Sequence, residues 1–284
     1  MCRFLFTLCP PCSGRHQTVE ASSPVVWRPQ LRTTILCLLM LCCVSMNASE
    51  SPLADAVENK NRDTAIKLLK QKSDANTPQV DGTTALHWAA YHDDAELGLM
   101  LLEAGARAGA ENRYGVTSLY SACQNGNAKL VIALLQHGAD PDTSLQGEEA
   151  LLTASRTGSV EVVKTLLKSG AKINAEDRNN QTALMWAAAE GNLEVVKILI
   201  EAGANIRHQL DSGFTPLLFA VREGREPVVH ALLNAGLDVN EAATPEKGRL
   251  PRGSTPLTLA IENGHFTLAT SLLEAGANPN DTRT

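Results

Sequence analysis

The chain has 284 residues, of which 44% are hydrophobic, an apolar content that suffices for a folded, soluble body. Residues 1–48 contain four of the 25 Lys and Arg residues and one of the 31 Asp and Glu residues, so the chain from residue 49 onward carries 21 basic and 30 acidic side chains, a net charge of −9. A body this acidic argues against nucleic acid and anionic membrane surfaces as partners.

The amino-terminal segment, residues 1–48, holds six of the seven cysteines. Cys9 and Cys12 have the C-x-x-C spacing of redox and metal sites, but no second pair matches them and no helix or strand pattern surrounds them. We therefore interpret this pair as accidental. Cys123 is the only thiol in the rest of the chain, and its small-residue position in a helix predicts burial without an internal disulfide.

Ten apolar residues run from Ile35 to Val44, preceded by arginines and followed by small and polar residues. This order is typical of a secretory signal, here around Leu31 to Ala48. Ten residues are too few to cross a bilayer, which needs about twenty. We therefore predict a secreted or periplasmic protein that meets the membrane only through its signal before cleavage. The alternative is that the run is fortuitous or a mere anchor, and the alternative location is the cytoplasm.

The body begins with a degenerate segment, residues 51–79, that predicts two short helices. Apolar residues follow a helical stripe in each, and most other positions are charged. This composition suits an amino-terminal cap whose outer face meets water.

A four-residue pattern then recurs at spacings of 32 to 40 residues. Each copy opens a short apolar helix, and a second helix follows and ends at a glycine. Helices of about ten residues with one apolar stripe are not stable in isolation, so the copies are expected to stack. The copies read TALH, TSLY, EALL, TALM, TPLL and TPLT, and they begin at Thr84, Thr117, Glu149, Thr182, Thr215 and Thr255.

These tetrads and their period near 33 residues resemble the T-P-L-H signature of ankyrin repeats. The resemblance spans roughly residues 51–280. It implies an all-α ankyrin-repeat solenoid of about seven helix-turn-helix repeats, whose hairpin connections project to one side and leave a concave binding surface. The predicted domains are an amino-terminal extension with the signal, 1–48, and an ankyrin-repeat domain, 49–284, with repeats at about 49–80, 81–113, 114–146, 147–179, 180–212, 213–253 and 254–284.

Three copies depart from the pattern. In the copy at 147–179 the incoming hairpin is one residue short, and Glu149 replaces the Thr that normally caps the helix, so local distortion and lower stability are expected. The copy at 213–253 carries seven extra residues in its outgoing connection, which predicts a longer, mobile tip. The last copy has no polar closing helix after it. Four of its residues are expected to leave apolar surface at that end: Leu259, Ile261, Leu268 and Leu272.

No group of residues in the body has the spacing of a catalytic motif. His87 closes the tetrad TALH, and the resemblance implies that its ring bonds Thr84 and neighbouring backbone in a structural tetrad. His92, Asp93 and Asp94 are close enough to His87 in sequence for a metal site, but their place at a helix end and turn favours a solvated turn. We expect no enzymatic activity, cofactor, metal or small-molecule substrate.

Partner binding is predicted at the hairpin tips and the exposed first-helix positions, which the resemblance implies as contact sites. Large rigid rings at such positions are common interface anchors. For Trp88, Trp186 and Phe219, packing between repeats is the alternative. The predicted partner-binding residues are Trp88, Tyr91, Arg113, Tyr114, Arg178, Trp186, Phe214 and Phe219.

The predicted function is a non-catalytic module that binds a protein partner through its concave face and hairpin tips. The alternative function is a regulatory or inhibitory subunit of an exported enzyme.

Overall fold

A computed structural model describes residues 51–247 and 250–280; the predicted signal segment lies outside the described residues. The described part contains fourteen α-helices, which follow one another in seven pairs. They are α1 (Pro52–Glu58), α2 (Arg62–Lys70), α3 (Ala85–Tyr91), α4 (Ala95–Glu103), α5 (Ser118–Gln124), α6 (Ala128–Gln136), α7 (Ala150–Thr157), α8 (Val160–Lys168), α9 (Ala183–Glu190), α10 (Leu193–Glu201), α11 (Pro216–Arg222), α12 (Glu226–Asn234), α13 (Pro256–Glu262) and α14 (Phe266–Glu274).

Local chemistry sets where most first helices begin and where the second helices end. The hydroxyl of Thr117 accepts a hydrogen bond from the Tyr120 amide at 3.1 Å, and Thr182 and Thr215 cap α9 and α11 in the same way. Such a cap satisfies an amide that has no partner inside the helix. After α10, Gly203 has a φ of 89°, a left-handed conformation that a side chain would disfavour.

The helix pairs stack so that each first helix contacts the first helices of its neighbours, and from α2 to α12 the second helices do the same. The tetrad leucines occupy equivalent places in this stack, and each is at most 1% exposed: Leu86, Leu119, Leu151, Leu184 and Leu217. Burying one such side chain contributes about 1.5–3 kcal/mol. The predicted all-α stack of about seven helix pairs is confirmed.

The shortened hairpin before α7 forms a regular structure. Strands β1 (Ser144–Leu145) and β2 (Glu148–Glu149) pair antiparallel, and Gln146 and Gly147 between them have φ angles of 54° and 83°. Two consecutive residues with positive φ suit the two-residue turns that join twisted strands. The expected local distortion therefore takes the form of a tight β-hairpin. The expected loss of the helix cap is present, because Glu149 makes no side-chain bond to α7.

The long connection after α12 is tied down on both sides. The amides of Glu246 and Lys247 each donate to the Asp211 carbonyl oxygen at 3.0 Å, and the side chains of Ala243 and Leu250 are buried. These contacts hold the described part of the connection against the neighbouring hairpin. Residues 248–249 lie outside the described residues, and the mobility of the tip stays a prediction.

The last pair exposes a different apolar set from the one that the sequence predicted. Of the four predicted residues only Ile261 is exposed, at 51%, because the side chains of Leu259, Leu268 and Leu272 are covered by the rest of the stack. Phe266, at 69%, and Leu273, at 43%, are exposed as well.

Candidate functional site

A groove lies where the tips of the first hairpins meet α1 and α3. Its volume is about 740 Å³, and we call it the Trp88 groove. It brings together three of the predicted binding residues, Trp88, Arg113 and Tyr114. Its other lining residues are mostly acidic or polar: Ser51, Asp55, Glu58, Gln79, Val80 and Asp81.

The Trp88 ring belongs to an aromatic cluster. Tyr91 contacts it edge-on, with ring centroids 5.8 Å apart, and His92 lies nearly parallel to it at the same distance. Tyr91 is 65% exposed and Tyr114, across the groove, is 69% exposed. Such exposed rings beside a half-buried tryptophan are an arrangement typical of interface anchors.

Hydrogen bonds fix the polar residues of the Trp88 groove. The Gln79 amide group donates to Asp55 Oδ1 at 2.7 Å and to Glu58 Oε2 at 2.6 Å, and its carbonyl oxygen accepts from Trp88 Nε1 at 2.8 Å. On the other side, the Thr83 amide holds the pKa of the Asp81 carboxyl below its usual value, and the charge of Arg113 acts in the same direction. The Asp81 carboxyl therefore stays ionised in the groove at neutral pH.

A second groove, of about 360 Å³, contains two more predicted residues, Arg178 and Trp186. It lies between the β1–β2 hairpin and the following tip. Trp186 Nε1 donates to Asp177 Oδ2 at 3.2 Å, and the guanidinium carbon of Arg156 lies 5.6 Å from the centre of the Trp186 ring. A cation over an aromatic face is an attractive arrangement.

Phe214 and Phe219 form a third cluster, with ring centroids 5.0 Å apart. The guanidinium of Arg222 lies 4.9 Å from each ring centre. Phe219 is only 5% exposed, so it packs under Phe214 and Arg222 and offers little surface to a partner. These contacts of Phe219 lie within its own repeat, and its role in partner binding stays a prediction.

Sequence reasoning missed several residues of these clusters, among them Val80, Arg156 and Arg222. Val80 is 77% exposed at a hairpin tip. Its signal was available in the sequence, because a large apolar residue stands alone between Gln79 and Asp81. Arg156 and Arg222 occupy the same position in α7 and α11, seven residues after the first residue of the tetrad, Glu149 or Thr215. Whether the predicted residues bind a partner stays a prediction.

Both ring nitrogens of His87 are engaged in structural contacts. Nδ1 accepts from the Thr84 amide at 3.1 Å and lies 2.8 Å from Thr84 Oγ1, and Nε2 is 3.1 Å from the Val116 carbonyl oxygen of the next repeat. Burial lowers the pKa of His87, so the neutral ring is favoured. A ring held in this way joins two repeats and has no nitrogen left for proton transfer.

Within residues 51–247 and 250–280, no three His, Cys, Asp or Glu side chains are arranged to hold a metal ion. His92 Nε2 instead contacts the Glu58 carbonyl oxygen at 3.0 Å. Cys123 is fully buried, as predicted, and burial raises the pKa of its thiol to about 12. In the same part of the chain, no helix combines the length and apolar character that spanning a membrane requires.

Comparisons with known proteins agree with this architecture. A family model described as ankyrin repeats, in units of three copies, matches residues 30–112, 100–177, 151–243 and 208–283. The crystal structure of the human ASB11 ankyrin repeat domain is similar, with a TM-score of 0.68 and 26% identity over 81% of this chain and 99% of that one. A comparison with curated proteins gave no match.

Proposed function

Because the chain belongs to the ankyrin-repeat family, whose members generally serve as non-catalytic modules for protein–protein interaction, we propose that it binds a protein partner through the Trp88 groove and the adjoining hairpin tips. The observation that carries this proposal is the group of exposed side chains around Trp88. Val80, Tyr91 and Tyr114 are each at least 65% exposed, and all three lie at or beside the groove.

Physical reasons favour this surface over the rest of the described chain. The rings of Tyr91 and Tyr114 lose little side-chain entropy when a partner covers them, and each buries a large area. Carboxylates and an arginine at the rim add directional hydrogen bonds. At the other end, Phe266 is as exposed as Tyr114 and lines none of the grooves described above, so it serves as an internal control.

The experiment is capture of partners by the full-length protein, with the wild type compared with a Tyr91→Ala, Tyr114→Ala double variant. Loss of two such anchors is expected to weaken binding about tenfold or more while the melting temperature stays the same, because both rings are on the surface. Phe266→Ala removes an equally exposed ring at the far end and should bind like the wild type. Equal binding by all three proteins would contradict the proposal.

We also propose that the protein is exported, on the strength of the apolar run at residues 35–44 behind arginines. Mass spectrometry of the mature amino terminus tests it, with cleavage expected after Ser45 or Ala48. An uncleaved amino terminus in the cytoplasm would contradict export. Capture of an exported enzyme whose activity the protein changes would support the narrower role of a regulatory subunit.

A further inference from the structure

The two tryptophans of the repeats occupy equivalent positions but differ in the charged group that lies at the end of the preceding first helix. Each lies four residues after a tetrad threonine, Thr84 or Thr182, and each donates its Nε1–H to a side chain nine residues earlier. Trp186 is accompanied by a cation of its own chain, since Arg156 lies over its ring and pairs with Glu148 Oε1 at 3.0 Å.

Thirty residues before Trp186 stands Arg156, and thirty residues before Trp88 stands Glu58. Both residues lie at the end of the preceding first helix. Glu58 lines the same groove as Trp88, and Gln79 bonds both the Glu58 carboxylate and Trp88 Nε1. Where the Trp186 ring has a guanidinium, the equivalent position near Trp88 therefore has a carboxylate. No Lys or Arg of the described residues lies over the Trp88 ring.

The other groups around Trp88 strengthen this contrast. Gln79 holds the carboxylates of Asp55 and Glu58 next to each other, 2.7 and 2.6 Å from its amide nitrogen. Among the described residues, those that line the Trp88 groove include three carboxylates and one cation, Arg113, whose charge acts on Asp81. His92 packs near the ring but lines a different pocket. An aromatic ring next to carboxylates attracts a cation through both its quadrupole and their charge.

We propose that the Trp88 groove receives an arginine side chain of the protein partner, whose guanidinium lies against the Trp88 ring and pairs with Glu58. The partner arginine then takes the place that Arg156 takes at Trp186. A planar guanidinium suits this site because it can stack on a ring and bond a carboxylate at the same time. This inference rests on the proposed function and specifies the chemistry of its partner.

The first test uses the full-length protein and a short Gly-Ser peptide with one arginine at its centre. The indole N–H signals of Trp88 and Trp186 report separately by NMR once each has been assigned with a Trp→Phe variant. We expect saturable shifts of the Trp88 signal and little change at Trp186. The same peptide with citrulline, which has arginine's shape without its charge, should bind about tenfold more weakly or worse. Equal responses at both indoles, or equal binding of both peptides, would overturn the proposal.

Exchange of the two environments gives the second test. Glu58→Arg supplies the missing internal cation and should abolish the Trp88 response, and Arg156→Ala should make the Trp186 indole respond to the arginine peptide. Glu58→Gln changes only the charge and should weaken binding at Trp88, which keeps the test valid if Glu58→Arg fails to fold. Unchanged binding by Glu58→Gln would refute the inference.

The captured partner separates this inference from the proposed function. If a partner depends on Tyr91 and Tyr114 but is indifferent to Glu58→Gln, the arginine site is wrong and the binding function stands. If no partner depends on the two tyrosines while the arginine peptide still binds at Trp88, the cation site stands and the proposed function fails.

Discussion

Ser155 is the one described residue with a buried side-chain nitrogen or oxygen atom that has no hydrogen-bond partner. It lies on α7 at the place that Cys123 holds on α5 and Ala188 holds on α9, and all three are fully buried. The thiol and the methyl group need no partner there. The hydroxyl loses its hydration without a replacement bond, which costs about 1–3 kcal/mol.

Ser155→Ala is therefore expected to stabilise the protein by about 1 kcal/mol, since alanine fits the same position without the hydroxyl. The measurement is the free energy of unfolding from denaturant titration. The matched control is Thr153→Ala on the same helix, which removes a bond of 2.8 Å to Glu148 and should destabilise. A less stable Ser155→Ala variant would show that the hydroxyl finds a partner in solution.

At the scale of the element, each repeat opens with a helix, and α7 is the opening helix whose start differs most from the others. Glu149 occupies the cap position without bonding the helix, and burial raises the pKa of its carboxyl, with the charges of Asp142 and Asp140 adding to the effect against that of Lys172. A carboxyl whose folded pKa is raised stabilises the fold below its unfolded pKa and loses that contribution as the pH rises through the folded pKa.

Glu149→Thr is expected to stabilise the protein by about 0.5–2 kcal/mol near pH 7, because the hydroxyl caps α7 and the partly buried charge is gone. The gain should shrink on acidification, as the pH falls through the raised pKa of Glu149 and the carboxyl becomes protonated. Thermal melts at pH 7 and at an acidic pH measure this. Thr182→Val, which removes the cap of α9, should cost stability at both. If the stability gain grows on acidification, the pKa of Glu149 is not raised in the folded protein.

The helices and their order followed from local residues, whereas the sites required knowledge of the neighbours. Threonine caps and the glycines that end the second helices act within one repeat, so both could be predicted from the sequence of that repeat. The Arg156–Trp186 contact joins residues of two successive repeats, which meet only after stacking. The short β-hairpin at Gln146 and Gly147 depends on the deletion of one residue, which changed the turn type and left the stack intact.

At the scale of the whole molecule, side chains at one hairpin position link successive repeats. Asn76 accepts from the Arg107 amide, Asp142 from Lys172, Asn174 from Asn205 and Asn240 from Asn278, each at 2.8 Å. Gly109 holds this position in the second hairpin and has no side chain to make the bond. In a solenoid, stability is roughly a sum over repeats and their nearest-neighbour contacts, so a missing link weakens coupling at one place.

Gly109→Asn is expected to add the missing link and to stabilise the protein by about 0.5–1.5 kcal/mol. The site has room, because a Cβ at Gly109 would lie 3.9 Å from the Gly138 carbonyl oxygen, its nearest neighbour. Denaturant titration should show a higher midpoint and an unchanged or steeper transition. Asn174→Ala, which deletes an existing link, should do the reverse. If Gly109→Asn lowers the midpoint, the links are not interchangeable between hairpins.

The burial of Cys123 makes the repeat domain insensitive to the redox conditions around it. It is the only sulfhydryl after residue 48, it is sealed between helices, and its high pKa keeps it protonated. Oxidants and mixed-disulfide partners react with the exposed, ionised form, which the folded domain does not present. The repeat stack therefore has no disulfide to form in the oxidising environment outside the cell and none to lose by reduction inside it. It can keep the same structure in either place.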